Sequence, residues 1–144
     1  LKRSDVVSLH LPYTEETHHI INKENITKFK KGSILINTAR GGLIETEAIL
    51  LGLEKGYLSG VGVDVLEEEI VLKEERQLLT EQFTKQSDFK TQLLNHVLLD
   101  REDVIITPHN AFNSTESLNN ITEITVENIQ SYVAGKAINL VDSI

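Results

Sequence analysis

Gly32-Ser33-Ile34-Leu35-Ile36-Asn37-Thr38-Ala39-Arg40-Gly41-Gly42-Leu43-Ile44 is the stretch that decides how this chain folds. Ser33 to Asn37 is a short apolar run bounded by glycine, the signature of a buried strand. Thr38 to Gly42 has the small and polar residues of a turn. Ile44, Ala48, Leu51 and nearby Leu53 then recur at helical spacing, and Gly56 supplies a helix stop. Strand, turn and helix in that order form the first part of a β-α-β crossover.

The same grammar repeats on either side. Asp5 to Leu9 reads as a strand ahead of Pro12, and Pro12 to His19 as a polar loop. Asn22 is placed to cap a helix through about Phe29, with Lys31-Gly32 as its stop. Gly60 to Val65 reads as a third strand, whose glycines predict close approach of another backbone or a ligand. Glu67 to Arg101 carries paired apolar residues at Val71/Leu72, Leu78/Leu79, Leu93/Leu94 and Val97/Leu98, and predicts one or two amphipathic helices. Val104 to Thr107 is a fourth strand, stopped by Pro108. Ser114 caps a long helix to about Ala134, with Leu118, Ile121, Thr125, Ile129 and Val133 as its predicted buried stripe and Gly135 as its end. Ala137 to Val141 reads as a short extended tail.

Four short, nearly all-apolar strands alternating with helices define an α/β protein. Such strands belong to parallel sheets buried on both faces, here built by consecutive right-handed crossovers of a doubly wound sheet.

Composition narrows the function classes. The chain has 144 residues, 40% of them apolar, enough for a packed core. Fourteen Lys and Arg against 22 Asp and Glu give a net charge of −8, which offers no basic face to nucleic acid or to an anionic membrane. The absence of Cys removes disulfides, thiolate chemistry and Cys-based zinc sites, and no metal site is expected. No apolar run reaches the roughly 18 residues of a membrane helix, and no signal peptide is legible, so a cytoplasmic location is expected. The chain also lacks Met and opens almost directly on a strand, which predicts a piece of a longer polypeptide.

Ligands of open α/β sheets bind outside the carboxyl ends of the strands. The residues that follow the four predicted strands are therefore the candidates: His10, Leu11 and Pro12; Asn37 to Gly42; Asp64 and Glu67 to Glu69; and Pro108, His109 and Asn110. Arg40, followed by two glycines, could present its guanidinium fork to a carboxylate, or pair with a surface glutamate. His109 could be a general acid/base, since imidazole titrates near neutrality, or a satisfied structural side chain. Asp64 could cap a helix or bind a cofactor amide. Glu69 could act chemically or belong to a solvated helix start. His18, His19 and His96 lie in polar or amphipathic segments that assign them no role.

Four motifs in register carry a resemblance. Ser4-Asp5-Val6-Val7-Ser8-Leu9-His10-Leu11-Pro12, the Gly32 to Ile44 stretch, Gly62-Val63-Asp64-Val65-Leu66-Glu67 and Ile106-Thr107-Pro108-His109 occur in order. Together they resemble the D-isomer-specific 2-hydroxyacid dehydrogenases, over nearly the whole chain and least in Glu68 to Arg101. The resemblance implies NADH-dependent, reversible reduction of a small 2-oxo acid to a D-2-hydroxy acid. It implies that Arg40 holds the substrate carboxylate and polarises the ketone, and that His109 protonates the carbonyl oxygen. It places Glu69, five residues beyond Asp64, as the partner that keeps His109 protonated, because a nearby carboxylate raises an imidazole pKa. By the same resemblance Leu11, Pro12 and Thr17 line the adenosine side of NAD, Thr38, Ala39 and Arg40 border the nicotinamide ribose, and Asp64 lies near the nicotinamide ring. His109-Asn110-Ala111-Phe112 is similar to the lactate and branched hydroxyacid members, with Phe112 beside the substrate side chain. A homodimer is the implied assembly.

The family's glycine-rich phosphate loop has no counterpart, since Gly60 and Gly62 lie in a strand with no third glycine after them. The resemblance therefore implies that residues 1–144 are the C-terminal part of an NAD-binding domain, the second half of a Rossmann-type sheet. The helix at about 114–134 would return toward a substrate domain supplied by the N-terminal part of the polypeptide. Such a piece is expected to be inactive alone. A non-catalytic, NAD-sensing corepressor or scaffold of the same fold is the alternative.

Overall fold

A computed structural model describes residues 1–67 and 89–140. They form two units, Leu1–His109 and Asn110–Ile144. The first contains a four-stranded sheet of β1 (Val6–Leu9), β2 (Ser33–Asn37), β3 (Leu58–Val63) and β4 (Val104–Ile106), with helices α1 (Thr46–Glu54) and α2 (Phe89–Leu99). All three strand pairings are parallel and the spatial order follows the sequence, β1-β2-β3-β4. This is the parallel α/β architecture expected from the strand pattern and the Rossmann-type sheet that the resemblance implies.

Only one face of the sheet is deeply buried. Leu9, Leu35, Val61 and Val63 pack with Ile21, Ile26, Phe29, Leu43, Ile44, Ala48, Ile49, Leu53 and Leu98 in a single core. The opposite face presents Val6, Ile34 and Ile105 at 52%, 40% and 70% exposure. This corrects the expectation of strands buried on both faces, and topology explains it. Right-handed crossovers stepping in one direction across a sheet deposit every helix on the same side. Covering the other side takes a reversal of strand order, and these four strands contain none. Gly60 and Gly62 lie on the exposed face, where an added Cβ would make only ordinary contacts at 3.7 and 4.0 Å, so no described neighbour requires them. The isolated 144-residue chain should therefore self-associate through this face. Sedimentation velocity at micromolar concentration is expected to show species larger than a monomer; a sharp monomer boundary would refute this.

Local differences from the sequence expectations have local causes. The predicted helix after Asn22 is only a 3-10 turn, Ile26–Lys28. Asn22 Oδ1 accepts from the N–H groups of Glu24 and Asn25 at 3.0 and 3.1 Å, and Asn25 Oδ1 accepts from Asn22 N–H at 3.0 Å. These interlocked side chains satisfy the backbone in a tight turn and compete with helix propagation. β3 starts and ends two residues earlier than expected. Helix α1 and its stop are as expected, with Gly56 at φ +70°. Helix α2 buries Thr91, Asn95 and Leu98, one stripe at helical spacing. Residues 68–88 of the predicted amphipathic region lie outside the described residues.

The second unit is dominated by α3 (Thr115–Val133), capped by Ser114, whose hydroxyl accepts from Ser117 N–H at 3.1 Å. Gly135 closes it at φ +73°. The capping reading holds, but the predicted buried stripe is exposed. No residue of α3 is buried, and Leu118, Ile121, Ile129 and Val133 are all at the surface. Amphipathic spacing encodes a face that can be buried, not a partner that buries it. No helix among the described residues is long and apolar enough to cross a membrane.

Candidate active site

Parallel strands bring their carboxyl ends to one edge, and this edge gathers most of the predicted residues. Arg40 stands three residues past β2, Asp64 directly past β3, and His109 three residues past β4. Strands β2 and β4 flank β3, so the segments carrying Arg40 and His109 leave the sheet roughly 10 Å apart. Leu11 and Pro12 follow β1 at the same edge and are exposed. Thr17 closes the loop behind them, donating to the Pro12 carbonyl at 2.7 Å and accepting from Thr14 N–H at 2.7 Å. Glu69 lies outside the described residues, and Phe112 belongs to the second unit.

The turn that presents Arg40 is built around Asn37. Period-two alternation puts Ser33, Leu35 and Asn37 on the buried face of β2. A buried amide must find partners. Asn37 Nδ2 donates to the Arg40 carbonyl at 2.9 Å, and Oδ1 accepts from Ala39 N–H at 3.1 Å. The Asn37 carbonyl accepts from Asp64 N–H at 2.9 Å. One side chain thus shapes the Thr38-Ala39-Arg40 turn while its backbone ties that turn to the end of β3. Asn37 was assigned no role from sequence; the alternation that buries it was the available signal. Thr38 is exposed at the turn's tip. The Arg40 guanidinium donates to the Ala39 carbonyl at 2.7 Å. Five N–H donors are more than one carbonyl consumes, so the group suits a carboxylate ligand.

Gly41 is required by contact with backbone, and Gly42 packs against a side chain. A Cβ on Gly41 would lie 2.0 Å from the Leu66 carbonyl oxygen, and one on Gly42 would lie 2.5 Å from the Tyr13 ring. The turn is thus wedged between the chain leaving β3 and the loop leaving β1. Tyr13, His18, Arg40, Gly41, Gly42 and Glu67 line a cavity of about 330 Å³ there.

Asp64 is buried, and its carboxylate accepts from the Thr107 hydroxyl. His109 is half-buried, with backbone φ +51°. Left-handed backbone is uncommon outside glycine, with asparagine, aspartate and histidine the residues that adopt it most often, and such residues cluster at functional sites.

Sequence reading missed His19, and it placed Glu67 among the candidates without a role of its own. His19, given no role, sits at φ +48°, and its Nε2 lies 2.5 Å from Glu67 Oε1. Glu67 Oε2 accepts from Thr46 N–H at 3.0 Å and from its hydroxyl at 2.8 Å. No sequence signal links residues 48 positions apart. Beyond Glu67, Lys23 bridges Glu45 and Glu47 at 2.7 and 2.5 Å, and Lys90 also pairs with Glu47. Hydrogen bonds to both carboxylates raise the Lys23 pKa. Those from Lys23 and Lys90 hold Glu47 below its ordinary value. Burial alone would push Glu45 up, but the ammonium and backbone N–H of Lys23 outweigh it and hold it down. Among the described residues no cluster of three or more His, Asp or Glu could hold a metal.

An open parallel sheet with its polar residues at the carboxyl edge is the ligand-binding class of α/β domain to which the dinucleotide-binding domains belong. Residues 1–111 match the family model for the NAD-binding domain of D-isomer-specific 2-hydroxyacid dehydrogenases, and the chain belongs to that family. It is 39% identical over 137 residues to 2-hydroxyacid dehydrogenase A of Aspergillus oryzae, covering 92% of this chain and 36% of that protein. It is 33% identical over 136 residues to a glyoxylate reductase of Thermofilum pendens, covering 94% and 34%. Among solved structures, D-lactate dehydrogenase from Aquifex aeolicus, complexed with NAD and lactic acid, superposes with a TM-score of 0.79. The two are 42% identical, over 94% of this chain and 39% of that one. The chain thus spans little more than a third of the length of these relatives.

NAD is the family's cofactor. Helix α1 does not offer the usual site for its pyrophosphate. A dinucleotide pyrophosphate usually takes the N-terminus of a helix opened by glycines. Helix α1 has no such opening, and its Thr46 N–H is already taken by the Glu67 carboxylate.

Proposed function

We propose that this chain is the catalytic-edge part of a 2-oxo acid reductase that forms D-2-hydroxy acids with NADH. The delivery of Arg40 and His109 to one sheet edge, either side of Asp64, is the observation that supports it. Arg40 grips the substrate carboxylate and draws electron density from the ketone. His109 gives a proton to the carbonyl oxygen as that oxygen gains charge. Glu69 is assigned to hold the His109 imidazolium. Bound NADH supplies the hydride to the carbonyl carbon. Thr38, Ala39 and Asp64 hold the nicotinamide side, and Leu11, Pro12 and Thr17 the adenosine side. The pyrophosphate loop and the substrate domain come from the N-terminal part of the same polypeptide, and the complete protein works as a cytoplasmic homodimer.

The test has two arms. The complete polypeptide should oxidise NADH with at least one of pyruvate, 4-methyl-2-oxopentanoate, phenylpyruvate, hydroxypyruvate and glyoxylate, and any chiral product should be the D-isomer. The 144-residue chain alone should show no saturable heat on titration with NADH and no turnover. No turnover by the complete polypeptide would refute the reductase. Turnover by the isolated chain near a typical enzyme rate, about 10 s⁻¹, would refute the half-site.

A further inference from the structure

The Arg40 turn is enclosed by a ring of contacts that the proposed reaction does not use. Tyr13 Oη lies 2.9 Å from His18 Nδ1. The His18 ring stacks on His19, with centroids 3.7 Å apart. His19 meets Glu67, whose backbone presses on Gly41, and Gly42 in turn meets the Tyr13 ring. The ring therefore closes on itself around the base of the turn, and Tyr13, His18 and Glu67 share a cavity with Arg40.

His19 and Glu67 are the pair that locks it. His19 N–H donates to the Gly42 carbonyl at 2.9 Å, so its left-handed backbone is stitched to the turn while its ring reaches Glu67. Glu67 is 15% exposed at its side chain and is held at both oxygens, by His19 on one and Thr46 on the other. Its own carbonyl accepts from the fully buried Asn95 at 2.8 Å. The pair thus fixes the loop after β1, the Arg40-Gly41-Gly42 turn, the exit of β3 and the start of α1 relative to one another. Three of these four segments contribute lining to the cavity beside Arg40.

We infer that His19 and Glu67 form a positioning clamp that sets where the Arg40 guanidinium meets the substrate carboxylate. The inference rests on the reductase reading above. The clamp acts through hydrogen-bond geometry. A glutamine at position 67 can accept from Thr46 and donate to an unprotonated His19 Nε2, so it preserves the clamp. Asparagine at position 19 tolerates left-handed backbone but is too short to reach Glu67.

The complete polypeptide would be assayed with NADH and its best 2-oxo acid. Glu67→Ala and His19→Asn should each raise KM for the 2-oxo acid at least tenfold, with any fall in kcat smaller than the rise in KM. Glu67→Gln should keep KM within threefold of wild type. The double variant should be no more than twofold worse than either single one, because residues acting as a unit are not additive. If Glu67→Ala does not fold, His19→Asn and Glu67→Gln carry the test. A folded His19→Asn or Glu67→Ala protein with KM within twofold of wild type, a Glu67→Gln protein no better than Glu67→Ala, or multiplicative effects in the double variant would each overturn the clamp. Wild-type turnover that Arg40→Ala abolishes while the clamp variants leave KM unchanged overturns the clamp alone. A wild-type protein that reduces no 2-oxo acid overturns the reductase and the clamp together.

Discussion

Replacing Gly41 by alanine should reduce kcat/KM of the complete polypeptide at least about 100-fold, the scale set by misplacing a catalytic group by 1 Å. The new Cβ would lie 2.0 Å from the Leu66 oxygen, 2.2 Å from its carbonyl carbon and 2.6 Å from Glu67 nitrogen. These are backbone atoms, so no side-chain rotation relieves the overlap, and the Arg40 turn must separate from the exit of β3 by about 1 Å. That shift pulls directly on Arg40, one residue away, and on Glu67. Overpacking of this kind also destabilises by roughly 1–3 kcal/mol. The companion substitution Gly42→Ala meets only the Tyr13 ring, which is half-exposed and able to swing outward. It should be the milder variant in both activity and melting temperature. Equal effects at the two glycines, or full activity in Gly41→Ala, would show that the turn is not wedged against β3.

Replacing His109 should lower kcat about 10²–10⁴-fold, the range for loss of a general acid, with NADH affinity changed only a few-fold. The backbone at φ +51° complicates the usual alanine substitution, because left-handed conformation costs an ordinary residue roughly 1–2 kcal/mol. His109→Asn avoids that penalty, since asparagine tolerates the conformation. If both variants lose turnover to the same extent, the loss belongs to the missing imidazole. If His109→Ala alone is impaired, backbone strain is the cause and the general-acid role fails. The same pair of variants separates an enzyme from an NAD-sensing corepressor of the same fold. An enzyme loses turnover and keeps NADH; a corepressor keeps its NADH-dependent partner binding and has no turnover to lose.

Much of the fold was legible before the structure. The Ser33 to Asn37 run, the glycine stops at Gly56 and Gly135 and the Ser114 cap all report on residues within one or two turns of themselves. Local rules suffice for such features because the backbone groups they satisfy are close in sequence. The same locality delivered Arg40, Asp64 and His109 to one edge, since parallel strands of known direction leave little freedom in where their carboxyl ends lie. The 3-10 turn at Ile26 was not legible, because two interlocked asparagine side chains won against helix propagation.

The parallel α/β class, the order of its motifs and the residues that reach the carboxyl edge all follow from local patterns along the chain. The remaining features depend on how distant segments pack. The covered face depends on strand order, which hydrophobic runs do not encode, so Val6, Ile34 and Ile105 are exposed where burial was expected. The exposed stripe of α3 depends on whether a partner is there to bury it. The roles of Asn37, His19 and Glu67 depend on contacts between segments that meet only after the sheet has formed. A period in sequence specifies a face; only the assembled fold specifies what that face meets.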